Sequence, residues 1–181
     1  KDLSLAPALA TSWKQTSPTV WRFELRHGVQ FHDGTPFTAD DVLFSFHRAA
    51  ADGSDMKSYI NDFKDVRKID NYTVEIETTS PNPILPSVIS TVYMMSKKWC
   101  EANNAVVPVD KRKGIENAAS FKENGTGPYR LIERQPGVRT VMVRNDHYWG
   151  KIEGNAQKVV FTPIANAATP VAALLSGQVD V

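Results

Sequence analysis

Gly125-Thr126-Gly127-Pro128-Tyr129, followed by the runs 130–135 and 138–144, is the stretch from which the fold can be read outward. Pro136-Gly137 between the two runs is a turn dipeptide, because proline pre-sets φ and glycine accepts a positive φ. In the second run Val141 and Val143 alternate with Thr140, Met142 and Arg144, the period of a strand buried on one side. A β-hairpin is therefore expected, and it hands the chain to Asn145-Asp146-His147-Tyr148-Trp149-Gly150. Gly125 and Gly127, on either side of Thr126, let backbone amides come close to a neighbour or a ligand. This is not a phosphate loop, since no Gly-Lys-Ser/Thr follows and the G-x-G-x-x-G pattern is absent.

Upstream, residues 9–15 and 20–26 read as strands separated by the polar turn Thr16-Ser17-Pro18. Trp21, Phe23 and Leu25 alternate with Arg22, Glu24 and Arg26, so one face is buried and the other wet. Gly28 and Asp33-Gly34 punctuate turns, and Pro36 closes the region. Thr38 is the expected N-cap of a helix over 39–51, with Asp40 and Asp41 at its positive end. Val42, Leu43, Phe46 and Ala49 or Ala50 share one face of that helix. Residues 52–64 read as a loop with room for one helical turn. Residues 66–69 and 72–78 pair through Asp70-Asn71, with Val74 and Ile76 pointing inward. Pro81, Pro83 and Pro86 bracket a short helix over 84–90, and 92–96 is expected to be a strand. A helix over 97–103, a charged connector over 104–114 and a helical stretch over 115–123 lead to Gly125.

Downstream, 158–163 is a strand centred on Val159, Val160 and Phe161. Thr169 caps the next helix, with Pro170 at its first position and Gly177 just past its end. Val179-Asp180-Val181 reads as the first half of another strand, which makes this the start of a βαβ unit. The expectation is a piece of a longer protein, with residues 1–154 as one domain and 155–181 opening a second.

With 181 residues the chain can bury a sizeable core. Charged residues make up 23% and the net charge is +1, so no strong field draws nucleic acid or an anionic membrane. No apolar run approaches the roughly 18–20 residues of a membrane span. Cys100 is the single cysteine, which excludes an internal disulfide. The residues after Lys1 carry neither the basic nor the hydrophobic region of a signal peptide.

Enzyme chemistry finds no foothold. His27, His32, His47 and His147 lack a second His or Cys at metal spacing, so no metal site is expected. His47 belongs on the polar side of the first helix, and His32 stands beside a turn aspartate. Ser45 and Cys100 are possible nucleophiles without a nucleophile elbow or a cysteine–histidine motif around them. A helix N-terminus explains Asp40-Asp41 without catalysis. No catalytic residue and no cofactor is expected. Trp13, Trp21, Phe23, Tyr129, Tyr148 and Trp149 are either core aromatics or the wall of a cleft. Arg144 is either a solvated strand-end charge or a guanidinium presented to a ligand carboxylate.

Taken in order, several of these segments resemble the dipeptide-, oligopeptide- and nickel-binding proteins of ABC importers, solute-binding protein family 5. They are Leu9-Ala10-Thr11-Ser12-Trp13 through Phe23-Glu24-Leu25-Arg26, Phe31-His32-Asp33-Gly34 with Thr38-Ala39-Asp40-Asp41-Val42, and Gly125-Thr126-Gly127-Pro128-Tyr129. Val143-Arg144-Asn145-Asp146-His147-Tyr148-Trp149 and Ala173-Leu174-Leu175-Ser176-Gly177-Gln178-Val179-Asp180 complete the set. The resemblance implies an α/β fold (α+β mixed), a fragment of a type II periplasmic clamshell. Residues 1–154 would be the extra domain of its first lobe, and 155–181 the start of the ligand-binding lobe.

It further implies a substrate-binding component that captures a peptide or other small solute outside the cytoplasmic membrane and delivers it to permease subunits. A monomer in the periplasm or outside the cell is expected, with a lipid anchor as an option for the full-length protein. Tyr93, Met94, Gly125, Thr126, Arg144, Tyr148 and Trp149 are the implied ligand-side residues. An arginine at the place of Arg144 contacts the ligand carboxylate in the nickel-binding branch. That branch's second arginine has no counterpart near Tyr93-Met94. The piece by itself is expected to bind solute weakly or not at all. The alternative is a stand-alone α+β interaction or structural domain with no transport role; a hydrolase using Ser45 or Cys100 stands well behind both.

Overall fold

The computed structural model describes residues 4–114, 116–164 and 169–180. The first sheet is built from β1 (Ala10–Ser17), β2 (Val20–Leu25), β3 (Phe63–Asp70) and β4 (Thr73–Thr78), in the spatial order β1-β2-β4-β3. Each neighbouring pair is antiparallel. The alternation in β2 does what the pattern requires: Phe23 and Leu25 are buried together with Val74 and Ile76 of β4. On the opposite face Arg22 meets Glu75 at 2.7 Å, while Arg67 and Lys64 reach Glu75 and Glu77.

Helix α1 (Ala39–Ala50) lies on the apolar face with Val42, Phe46 and Ala49 buried. Phe46 stacks on Phe63 of β3 at 5.5 Å between ring centroids. The expected start at Thr38 is correct, and Asp41 completes it by accepting from the Thr38 backbone N–H at 2.9 Å. The other oxygen of Asp41 accepts from Lys97 N at 2.9 Å, so the same carboxylate also holds the start of α3 (Lys97–Ala102). His47 is exposed on the polar side of α1, 3.5 Å from Asp65.

Between β4 and α3, α2 (Leu85–Ile89) forms as expected but the strand over 92–96 does not. The backbone there is committed elsewhere: Val92 N–H donates to Ile89 O, and Met95 N–H donates to Ser45 Oγ at 2.8 Å. Ser96 then caps α3 by accepting from Trp99 N–H. The helical stretch expected over 115–123 shrinks to a single tight turn, Ala118–Ser120, capped by Asn117; Ile115 lies outside the described residues.

The second sheet has the order β5-β6-β7, from β5 (Tyr129–Gln135), β6 (Arg139–Arg144) and β7 (Lys158–Phe161). The Pro136-Gly137 turn closes the first hairpin with Gly137 at φ +74°. β7 pairs antiparallel with β6, so this sheet carries strands from both sides of residue 154. Helix α4 (Thr169–Leu175) is followed by Gly177, which takes a left-handed φ of +72°. Residues 179–180 form no strand, and Val181 lies outside the described residues, as does the capping side chain expected of Thr169. Among the described residues no helix is long and apolar enough to cross a membrane.

Candidate functional site

A cavity of about 660 Å³ lies where the apolar face of the first sheet meets three other segments. These are residues 5–10, the 86–94 segment around α2, and the loop at 125–127. Its walls are mostly apolar, with Trp13, Phe23 and Tyr129 supplying aromatic surface. Concave apolar surface with a few convergent polar groups is the ordinary form of a small-molecule site.

Of the residues singled out from sequence, Tyr93, Met94, Gly125 and Thr126 line this one cavity. Tyr93 is 83% exposed, so its ring projects from the wall instead of packing into it. Trp149 stands behind the loop, donating its indole N–H to Thr126 O at 3.1 Å. The Arg26 guanidinium lies over the Trp149 ring, 4.7 Å from its centroid. Tyr148 packs beside Trp149, with ring centroids 5.0 Å apart, and does not line the cavity. Arg144 does not line it either. It pairs in register with Tyr129, and among the described residues its guanidinium forms no hydrogen bond or ion pair.

Two residues that sequence reasoning did not assign to the site also line the cavity, His32 and Glu123. His32 Nδ1 lies 2.8 Å and 2.9 Å from the two Glu123 oxygens, and Nε2 lies 3.0 Å from Gly127 O. Glu123 also accepts from Gly125 N–H and Leu131 N–H, each at 2.7 Å. His32 N–H donates to Gly125 O, and Asp33 N–H to Asn124 Oδ1. The loop at 125–127 is thereby tied to the turn that follows residue 31. Only the motif Phe31-His32-Asp33-Gly34 hinted at a role, and its partner lies 91 positions away.

Burial is the largest influence on His32 and lowers its pKa. The Glu123 hydrogen bond, the Gly127 carbonyl and the Glu123 charge together outweigh it and leave the pKa raised. Burial likewise pushes Glu123 up most strongly, yet His32 and the two backbone N–H donors bring its carboxyl below the usual range. The candidate nucleophiles have structural roles. Ser45 Oγ donates to Asp41 O at 2.6 Å while receiving Met95 N–H. Cys100 is buried, with its thiol pushed up to about 11 by burial. Among the described residues no His, Cys, Asp and Glu side chains cluster in a way that could hold a metal ion.

The two-sheet α/β architecture, with the cavity on the apolar face of the first sheet, matches part of the fold of type II periplasmic binding proteins. The chain belongs to the bacterial extracellular solute-binding proteins, family 5, whose middle part matches residues 4–181. It is 29% identical to the periplasmic murein peptide-binding protein MppA of Escherichia coli, covering 98% of this chain and 35% of that protein. NikZ from Campylobacter jejuni, solved with Ni(L-His), superposes with a TM-score of 0.85 at 26% identity, over 98% of this chain and 34% of NikZ. DppA from Helicobacter pylori, solved with the peptide STSA, gives 0.73 at 27% identity, over 96% of this chain and 37% of DppA. The chain thus spans about a third of the length of the relatives it matches.

Proposed function

We propose that these residues belong to the substrate-binding component of an ABC importer, one that captures a peptide or other small solute outside the cytoplasmic membrane and passes it to the permease. The observation that carries this reading is the cavity of about 660 Å³, bounded by the loop at 125–127 and by Tyr93 and Met94, in a chain of family 5. MppA is a murein peptide-binding protein by name, DppA was solved with the peptide STSA, and NikZ was solved with Ni(L-His). Tyr93, Met94, Gly125 and Thr126 would form the wall on this side. Arg144, with Tyr148 and Trp149 close by in sequence, would supply the charge and aromatic surface toward a second lobe. Unpaired guanidinium is well suited to a ligand carboxylate, which it can grip with two parallel hydrogen bonds.

Residues 1–154 would supply the extra domain of the first lobe and 155–181 the beginning of the ligand-binding lobe, with the three-stranded sheet as the joint between them. Capture would follow from lobe closure, because contacts made by both lobes exist only in the closed state and shift the population toward it. The intact protein would work as a monomer in the periplasm or outside the cell. The test is calorimetry with the peptide STSA and with Ni(L-His) on the intact gene product, beside mass spectrometry of whatever copurifies. Micromolar binding of one of these or of the copurifying solute is expected, with the 181-residue chain alone binding it far more weakly or not at all. Two results would count against the reading: intact protein that neither binds nor carries any solute, or an isolated chain that binds as tightly as the whole.

A further inference from the structure

The cavity wall at 125–127 is held by an arrangement that works in only one protonation state. Gly127 O can only accept, so His32 Nε2, 3.0 Å away, must carry a proton. Glu123 already accepts backbone N–H donors from Gly125 and Leu131, which marks it as the ionised carboxylate. His32 Nδ1, within 2.9 Å of both its oxygens, must therefore carry a proton as well. A neutral imidazole has one N–H and can serve only one of these partners; the other contact becomes two facing lone pairs. The His32 side chain is 7% exposed, so water cannot readily take the place of the lost bond.

We propose that His32 and Glu123 are positioning residues whose ion pair sets the 125–127 wall of the solute cavity, so that solute affinity falls as His32 loses its proton. The proposal rests on the solute-binding reading for its last clause only. The charged groups facing His32 are Glu123, which holds the proton on, and Arg130 of β5, which opposes it. The neighbouring Asp33 is occupied with Thr35 N and Oγ1 at 2.9 Å and 2.6 Å. Because the folded pKa of His32 is raised, the latch is complete below the ordinary value of 6.5 and is lost as pH rises through the raised value. On the acid side it persists until Glu123 is protonated, below the usual carboxylate range.

The experiment follows the His32 ring by NMR in the intact, solute-free protein, together with hydrogen exchange of residues 125–131, corrected for the intrinsic rate. Titration of His32 above 6.5 is expected, with protection of the loop falling about tenfold through that transition while β2 stays flat. Glu123→Gln, which keeps an acceptor oxygen but no charge, should move the transition to lower pH. STSA affinity should weaken several-fold over the same interval. Titration of His32 at or below 6.5, or loop protection indifferent to its charge, overturns the latch, and the wild-type measurement decides this even if the variant does not fold. Absence of STSA and Ni(L-His) binding at every pH and of any copurifying solute, with the loop transition intact, instead removes the solute-binding reading and leaves the latch standing.

Discussion

Val74 and Ile76 in the first sheet are 1% and 2% exposed, whereas Val160 and Phe161 in the second are 51% and 61% exposed. The same kinds of side chain, in the same kind of strand, have met different fates. The first sheet has α1 laid across it, and Phe23, Leu25, Phe37, Val42 and Phe46 close a continuous core. In the second, Val141 is the strand residue that is buried, and α4 leaves Val171, Leu174 and Leu175 in solvent. Strand pairing alone satisfies the backbone of the second sheet but cannot remove its apolar face from water. Under the proposed function, further chain supplies that cover.

The largest effect should therefore separate the two sheets cleanly. Phe46→Ala deletes a buried ring that stacks on Phe63, and should cost about 3–5 kcal/mol in denaturant unfolding of the chain. Phe161→Ser on β7 should change stability by no more than about 0.5 kcal/mol, because that ring lies mostly in water. Similar losses from the two substitutions would mean that the second sheet has a core of its own, and the contrast would fall.

An intermediate effect tests how the first region is locked to the segment beside it. Ser45 receives Met95 N–H and donates to Asp41 O, so Ser45→Ala leaves a partly buried N–H unpaired. A loss of about 1–3 kcal/mol is expected. Hydrogen exchange should report it first at Met95 and at the start of α3, because Asp41 also holds Lys97 N–H. A loss spread evenly over the molecule would show that the 92–96 segment is not the part this hydroxyl organises.

Ser45 also shows where sequence reading stops. Turn dipeptides and alternation are local, so β2, β4, the β5–β6 hairpin and the capped α1 were all legible from a few neighbouring residues. The segment 92–96 reads as a strand from sequence; it is not one, because the Met95 amide is taken by a serine 50 positions earlier. The site divides in the same way. Gly125 and Thr126 were visible as a close-approach loop, and Tyr93 and Met94 through the family resemblance. His32 and Glu123 were not, since nothing local in either residue's surroundings announces the other. Arg144 and Tyr148 were expected beside these residues, yet the cavity stops short of them.

The smallest effect lies on the wet face of the first sheet, where Glu75 sits between Arg22 at 2.7 Å and Arg67 at 3.4 Å. Such pairs look substantial in a structure, but water screens them, and holding long side chains in place costs conformational entropy. Glu75→Gln should therefore lower stability by at most about 1 kcal/mol near neutral pH, well below the Phe46→Ala loss. The hydrogen bond from Arg22 is the main cause of the lowered pKa of Glu75, with burial opposing it and Arg67 assisting. A lowered folded pKa means that the contribution is present above the ordinary value of 4.5 and disappears as pH falls through the depressed one. The gap between wild type and variant should thus close on acidification and also shrink in high salt. A gap that survives both conditions would mean that Glu75 stabilises the sheet through packing, and that the polar face contributes more than its charges suggest.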